Sequence, residues 1–303
     1  MNIVIFGGNG FIGTHLHKLL KKRYKVTVYG NKTFSDKLNS SYIKYSKKNF
    51  VKIIKKKKPE IIFFLSGNSY PINSLDNELY DFNSNNLVLQ QLLLAMVLTK
   101  YKGKIIYSSS IAVYGTVSEN NKNNIVDETD DLNPLSYYGL SKSIAEQQIK
   151  FFCSKHDLRA IVLRICSVYG PGLNRQIIYE LITKLLKNKD TIYLQGSFED
   201  SRQFIYISDC VKIMQKLINF NIKENFSIYN LAQGKKISIN KISRIIKFII
   251  RKKTKIYFTN KITQPNLPEL SNEKIKKLLG LKYFVSIEKG LKKTIKFLQK
   301  INA

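Results

Sequence analysis

Acidic side chains are scarce in this 303-residue chain: 21 Asp and Glu stand against 51 Lys and Arg, a formal net charge of +30. Cysteine is sparse as well. The three thiols, Cys153, Cys166 and Cys210, are an odd number without Cys-x-x-Cys spacing. That argues against a disulfide framework or a zinc knuckle and fits reduced thiols in a cytoplasmic protein. His15 and His17 lie two apart on a predicted helix and cannot share a face, so no metal site is expected. Long apolar runs are missing too. The richest, residues 87–98, is interrupted by Gln90 and Gln91, and no membrane insertion is expected. Residues 2–6 read as a strand rather than as part of a signal peptide. No repeat or low-complexity linker separates tethered modules.

The excess base is mostly Lys and is scattered through every segment. Runs at 21–23 and 55–58 fall where helices should end, which suits the negative end of the helix dipole. A nucleic-acid partner is therefore not expected, and attraction of doubly charged small ligands is the milder reading.

What is present centres on residues 108–142. Residues 104–107, Lys-Ile-Ile-Tyr, form an apolar strand that runs into Ser108-Ser109-Ser110-Ile111-Ala112-Val113-Tyr114-Gly115. Tyr138 and Lys142 follow in a segment where no helix breaker comes after Gly139, and i,i+4 spacing puts both on one helical face. A cation beside a phenol favours the phenolate, so Tyr138 can exchange protons with an alcohol near neutral pH. Ser110, at the strand end, can hydrogen-bond the same oxygen. Such a trio suits reversible alcohol oxidation when a hydride acceptor lies alongside.

A binding loop for that acceptor opens the chain. Strand 2–6 runs into Gly7-Gly8-Asn9-Gly10-Phe11-Ile12-Gly13, and a helix is predicted over 14–22. Gly8-x-Gly10-x-x-Gly13 satisfies the dinucleotide fingerprint between a strand and a helix, where glycines let backbone amides approach a pyrophosphate. The second strand, 26–29, is expected to end in a ribose-binding acid, but the chain continues Gly30, Asn31, Lys32. Removing the carboxylate removes repulsion toward a 2′-phosphate, and Lys32 can attract one; Asn31 can also bond the ribose of NAD. The balance leans slightly toward NADP within an NAD(P) assignment.

Ser-Ser-Ser-x-x-Val-Tyr-Gly, Tyr-x-x-x-Lys, Gly7-x-x-Gly10-x-x-Gly13, Val168-Tyr169-Gly170-Pro171-Gly172 and Arg202-Gln203-Phe204-Ile205-Tyr206-Ile207-Ser208-Asp209 occur in this order along most of the chain. Together they resemble the extended short-chain dehydrogenase/reductase family of nucleotide-sugar epimerases, dehydratases and ketoreductases. The resemblance implies a doubly wound parallel-sheet Rossmann α/β domain over residues 1–170. It implies a smaller interleaved α/β lobe over 171–303, mainly for substrate, and a homodimer formed through the helix near 79–99 and the Tyr138 helix.

The resemblance also assigns roles. Ser110, Tyr138 and Lys142 are catalytic. Gly7, Gly10, Phe11, Ile12, Gly13, Asn31, Lys32, Leu65, Ser66, Asn83, Ser108, Cys166, Tyr138 and Lys142 surround the cofactor. Ser110, Ile111, Ala112, Tyr138, Ser167 and Arg202 face a nucleoside-diphosphate sugar, with Arg202 on its phosphates, since its fork can hold phosphate oxygens bidentately. Asp209 is expected to cap the helix beginning at Cys210, and Asp127 and Glu128 to be structural. Dehydratases of the family carry Asp-Glu where Ile111 and Ala112 stand, so a 4,6-dehydratase is not expected. A 4-epimerase ranks first, an NADPH-dependent 4-ketoreductase second, and a non-catalytic nucleotide-binding member last.

Overall fold

The computed structural model describes residues 1–30, 41–68, 78–115, 124–187, 190–197, 200–221, 224–259 and 267–302. The chain opens with β1 (Asn2–Phe6), α1 (Phe11–Leu20), β2 (Lys25–Gly30), β3 (Ser41–Tyr42), α2 (Lys47–Lys57) and β4 (Ile61–Phe64). Next, α3 (Glu78–Asp81) passes through a π-helical turn, Phe82–Leu87, into α4 (Val88–Leu98). β5 (Lys104–Ser110), β6 (Ile125–Val126), α5 (Tyr137–His156), β7 (Arg159–Ile165) and β8 (Ser167–Tyr169) follow. Then come α6 (Gln176–Leu186), β9 (Thr191–Gln195), β10 (Ser201–Arg202), β11 (Phe204–Tyr206), α7 (Ile207–Ile218) and β12 (Phe226–Leu231). The described chain closes with β13 (Ile237–Ser238), α8 (Ile239–Ile250), β14 (Lys255–Thr259), β15 (Glu269–Leu270), α9 (Glu273–Leu279) and α10 (Ile287–Asn302).

Seven strands form one parallel sheet in the order β3-β2-β1-β4-β5-β7-β12. This is the doubly wound fold expected from the motifs. Side-chain alternation explains its two faces. Ile3, Ile5, Ile61, Phe63, Ile106 and Ile161 pack into one core with α1, α6, α7 and α8. Val4, Phe6, Ile62, Phe64, Ile105 and Val162 pack into the other with α2, α4 and α5. Burial on both faces is why these strands read as unbroken apolar runs. The strand order reverses between β1 and β4, and the crevice at the carboxyl ends of strands at such a point is where these sheets bind ligands.

Local signals set several helix ends. Ser46 and Ser136 cap α2 and α5, their hydroxyls accepting from the amides of Asn49 at 3.3 Å and Gly139 at 3.0 Å. Lys55, Lys56 and Lys57 close α2, as their run predicts. Two boundaries differ from expectation. α1 starts at Phe11 rather than Thr14, because extended Gly10 serves as its N-cap and Gly13 packs inside it. α7 starts at Ile207, so Asp209 does not cap it; the Asp209 carboxylate lies in the first turn and accepts from the amide of Val285 at 2.7 Å. The chain beyond residue 170 returns β12 to the central sheet alongside β7.

Candidate active site

β1 enters the site through Gly7, whose φ of +81° suits glycine. The glycines of the loop differ in what surrounds them. A Cβ on Gly7 would lie 2.6 Å from the Ser66 amide, one on Gly8 2.1 Å from Val28, and one on Gly13 2.4 Å from the Gly7 carbonyl. On Gly10 it would meet only the Gly7 carbonyl, at 3.3 Å. Three glycines therefore let the chain pack on itself, and Gly10 alone faces open space at the α1 N-terminus. No side chain caps that helix, so its first amides face outward as an anion cradle. Phe11 and Ile12 form its half-buried wall. The cradle fits a dinucleotide pyrophosphate.

Tyr45 buttresses the cradle and was not evident from sequence. Its hydroxyl lies 2.7 Å from the Ser66 Oγ, accepts from the Gly7 amide at 3.1 Å and donates toward the Tyr29 carbonyl at 3.3 Å. Leu65 and Ser66 thus stand beside the glycine loop at the end of β4. His15 adds a link across the cleft: its Nε2 lies 2.8 Å from the Pro171 carbonyl. Burial lowers its pKa, which favours the neutral ring as donor.

The predicted trio comes together. Ser110 ends β5, its hydroxyl accepting from the Ala112 amide at 3.2 Å, and it lies close enough to the Tyr138 phenol to work against the rise in its pKa. Tyr138 and Lys142 are 9% and 4% exposed. The Lys142 ammonium donates to the Ser108 carbonyl at 3.0 Å and the Tyr107 hydroxyl at 3.1 Å, and lies 6.0 Å from the centre of the Tyr138 ring. Burial pulls Lys142 down to about 8, while Glu146 and Asp81 push the other way. Burial raises the Tyr138 phenol, and the Ser110 hydroxyl and the positive charge of Arg175 work against that rise.

Behind the trio lies a buried ion pair that spacing alone did not reveal. Arg164 grips Glu146 with Nε and a terminal nitrogen at 2.8–3.2 Å. Ser109 donates to the same carboxylate, and Arg164 donates to the Tyr114 hydroxyl at 2.8 Å. Tyr114 in turn bonds Asn230 at 2.8 Å, and the Asn230 amide donates to Glu128 at 2.6 Å. β5, α5, β7 and β12 are thereby locked behind Ser110, Tyr138 and Lys142. Breaking one partner of such a pair costs about 3–5 kcal/mol, because the other charge is left buried.

The π-helical turn supplies a second unforeseen group. Asn85 and Asn86 are buried and donate to the Ser141 hydroxyl at 3.0 Å and the Ser141 carbonyl at 2.8 Å. They fasten this helix to α5 beside Lys142. Asn83, expected near the cofactor, is exposed on the same turn.

On the other side, Cys166 is buried, its amide bonded to the Leu231 carbonyl at 3.1 Å, and burial pushes its thiol up. Ser167 lies on β8 beside β11, and Arg202 on β10 is half-buried with Asp200 as a nearby charge. Gln203 is buried and stitches the Gly234 and Leu270 segments together. Ile111 and Ala112 sit half-buried in a 3₁₀ turn after Ser110. Asn31 and Lys32 lie outside the described residues.

A cleft of about 890 Å³ also opens at the amino ends of β1, β4, β5 and β7, opposite the site. Its Lys104 ammonium is already spent on the Leu217, Ile218 and Phe220 carbonyls at the end of α7, so helix capping explains this cation.

Comparison with known proteins follows the same line. The NAD dependent epimerase/dehydratase family matches residues 3–232. A putative UDP-glucose 4-epimerase of Methanocaldococcus jannaschii is 29% identical over 313 residues, covering 99% of each chain. The dTDP-4-dehydro-6-deoxyglucose reductase of Escherichia coli is 31% identical over 198 residues, covering 64% of this chain and 60% of its own. The crystal structure of a Thermotoga maritima UDP-glucose 4-epimerase with UDP-glucose superposes with a TM-score of 0.89 at 25% identity, covering 100% of both chains.

Proposed function

This chain belongs to the NAD dependent epimerase/dehydratase family, and from that premise we propose that it is a nucleoside-diphosphate-hexose 4-epimerase. The observation that carries the reading is the clustering of buried Ser110, Tyr138 and Lys142, with the Lys142 ammonium 6.0 Å from the centre of the Tyr138 ring. Tyr138 takes the proton of the sugar 4-hydroxyl and later returns it. Ser110 orients the reacting oxygen, and Lys142 holds positive charge next to the phenol and reaches a ribose hydroxyl. A nicotinamide dinucleotide in the glycine cradle would accept and give back the hydride. Arg202 and Ser167 bind the diphosphate and sugar from the lobe formed mainly by residues 171–303. A uridine nucleotide is the first to try, since the archaeal and Thermotoga relatives are UDP-glucose 4-epimerases by name.

Two side chains speak against dehydration. Ile111 and Ala112 follow Ser110, so no carboxylate stands there to remove the C5 proton. The non-catalytic reading is disfavoured because Ser110, Tyr138 and Lys142 are all retained. The 4-ketoreductase remains the second reading on one observation: β2 ends in Gly30 without a carboxylate to hold a ribose or repel a 2′-phosphate.

The test is the nucleotide released when the purified protein is denatured, with NADH and NADPH binding compared alongside. Retained NAD at one equivalent, with UDP-glucose and UDP-galactose interconverted, supports the epimerase. An empty protein that prefers NADPH overturns it in favour of the reductase. Tyr138→Phe should lower kcat by about 10²–10⁴-fold; unchanged turnover would remove Tyr138 from the chemistry.

A further inference from the structure

Alternation along β5 sends the Tyr107 side chain to the face of the sheet that α4 and α5 cover. The strand register lines it up there with Phe6, Phe64 and Val162 across β1, β4 and β7. Its ring stacks on Phe64, with centres 6.1 Å apart and planes 17° from parallel. In that row only Tyr107 carries a polar atom, and it is 0% exposed. A phenylalanine would fill the same space without burying a hydroxyl, and a hydroxyl buried without a hydrogen bond costs stability. The partner that satisfies it is Lys142.

The Lys142 ammonium lies 3.1 Å from the Tyr107 oxygen and 4.8 Å from the centre of its ring, so the oxygen rather than the aromatic face holds it. Burial raises the Tyr107 phenol well above its ordinary range, so it stays neutral and accepts from the ammonium. The carbonyl of the next residue, Ser108, accepts a second N–H at 3.0 Å. An ammonium has three donors. Two adjacent residues of β5 thus occupy two of them and leave one.

We propose that Tyr107 is a positioning residue of the candidate active site: its hydroxyl, with the Ser108 carbonyl, takes two N–H groups of Lys142 and aims the third at a bound ligand. This rests on the reading of Lys142 as the residue that reaches a ribose hydroxyl. The other titratable groups around Lys142 are Tyr138, whose ring centre is 6.0 Å away, Glu146, which is paired with Arg164 of β7, and Asp81 of α3. Loss of the Tyr107 hydroxyl removes none of them, so a change in Lys142 on that loss reports the bond itself.

The deciding experiment reads Lys142 directly. Full-length protein is labelled with nitrogen-15 at its lysine side chains, and the Nζ resonance that is absent from Lys142→Met is followed against pH. The wild-type midpoint should lie at about 8. Tyr107→Phe keeps the ring and its stacking but removes the acceptor, so the charged form loses support and the midpoint should fall by about one pH unit. The same variant should bind NADH about 3–10-fold more weakly, because the remaining donor is no longer aimed. Tyr101→Phe is the control: it removes another buried hydroxyl, one that donates to the Lys104 carbonyl at 3.2 Å where β5 begins, and should leave both values at wild type. Neither measurement needs a sugar, so failure here is distinguishable from failure of the epimerase reading. A Tyr107→Phe midpoint equal to wild type, an unchanged NADH affinity, or equal changes in Tyr101→Phe overturns the proposal. If Tyr107→Phe does not fold, the wild type decides: Lys142 ammonium protons without a nuclear Overhauser contact to the Tyr107 ring protons overturn it.

Discussion

A lysine that is 4% exposed in a folded protein is a cost unless the fold needs it, and Lys142 shows how large that cost is. Burial lowers its pKa from 10.5 to about 8. Below pH 8 it is protonated in both folded and unfolded chains, and the whole penalty for burying the charge is present. As pH rises from about 8 to 10.5, the unfolded chain holds the proton that the folded chain has lost, so the Lys142 contribution to stability improves. Lys142→Met should therefore gain stability over wild type at pH 7, and that difference should shrink by on the order of 3 kcal/mol toward pH 10.5. Urea unfolding of both proteins across this range checks it. A difference that does not vary with pH would mean that Lys142 is not desolvated as its surroundings indicate. On the proposed reading, the cost is retained because the charge serves the phenol of Tyr138.

At the level of elements, the glycine loop before α1 separates folding from binding within four residues. Gly13→Ala would drive a methyl to 2.4 Å from the Gly7 carbonyl, where only backbone can yield. It should lower the melting temperature and abolish dinucleotide retention together. Gly10→Ala meets one atom, at 3.3 Å, so the protein should melt within about 1 °C of wild type, a shift under about 1 kcal/mol for a chain of this size. It should nevertheless lose the dinucleotide from the cradle its methyl fills. Thermal melts and nucleotide release from the two variants check the pair. If both lost stability equally, Gly10 would be a packing glycine.

This loop and the Ser110–Tyr138–Lys142 trio were legible in the sequence because their signals are local: glycine spacing between strand and helix, and four residues along one helix. The supporting shell was not. Tyr45 reaches Gly7 across 38 residues, Asn85 reaches Ser141 across 56, and Tyr114 reaches Asn230 across 116. No periodicity announces such partners. The π-helical turn was equally hidden, since its extra residue is fixed by what Asn85 and Asn86 bond on α5, not by the propensity of Phe82–Leu87. Asp209 misled because an acid near a helix start suits both a cap and a first turn, and only the Val285 amide decides between them.

Over the whole molecule, the net charge of +30 makes its own exceptions informative. Nearly a quarter of the chain is charged, yet no charged residue occurs in 82–99, and in 137–149 only Lys142 and Glu146 occur, both buried. These stretches are the π-helical turn with α4 and most of α5, which touch each other. Among their exposed residues are Leu87, Leu94 and Leu98 on one helix and Leu140 and Phe151 on the other, beside uncharged Asn83, Gln90 and Gln147. Composition drifting toward lysine would have placed cations there as on other faces, and charge at the centre of an interface is what association selects against. Two copies meeting through these four helices would bury the apolar faces and keep the remaining cations in solvent, which is the homodimer the family resemblance implies. Sedimentation should then give twice the monomer mass of 35.1 kDa. Leu94→Lys should shift the protein to monomer, because the new charge would face the partner's apolar helix. α5 carries Tyr138 and Lys142 on its inner face, so loss of the partner should also lower kcat. A wild-type protein that sediments as a monomer at micromolar concentration would leave the bare faces of α4 and α5 without this explanation.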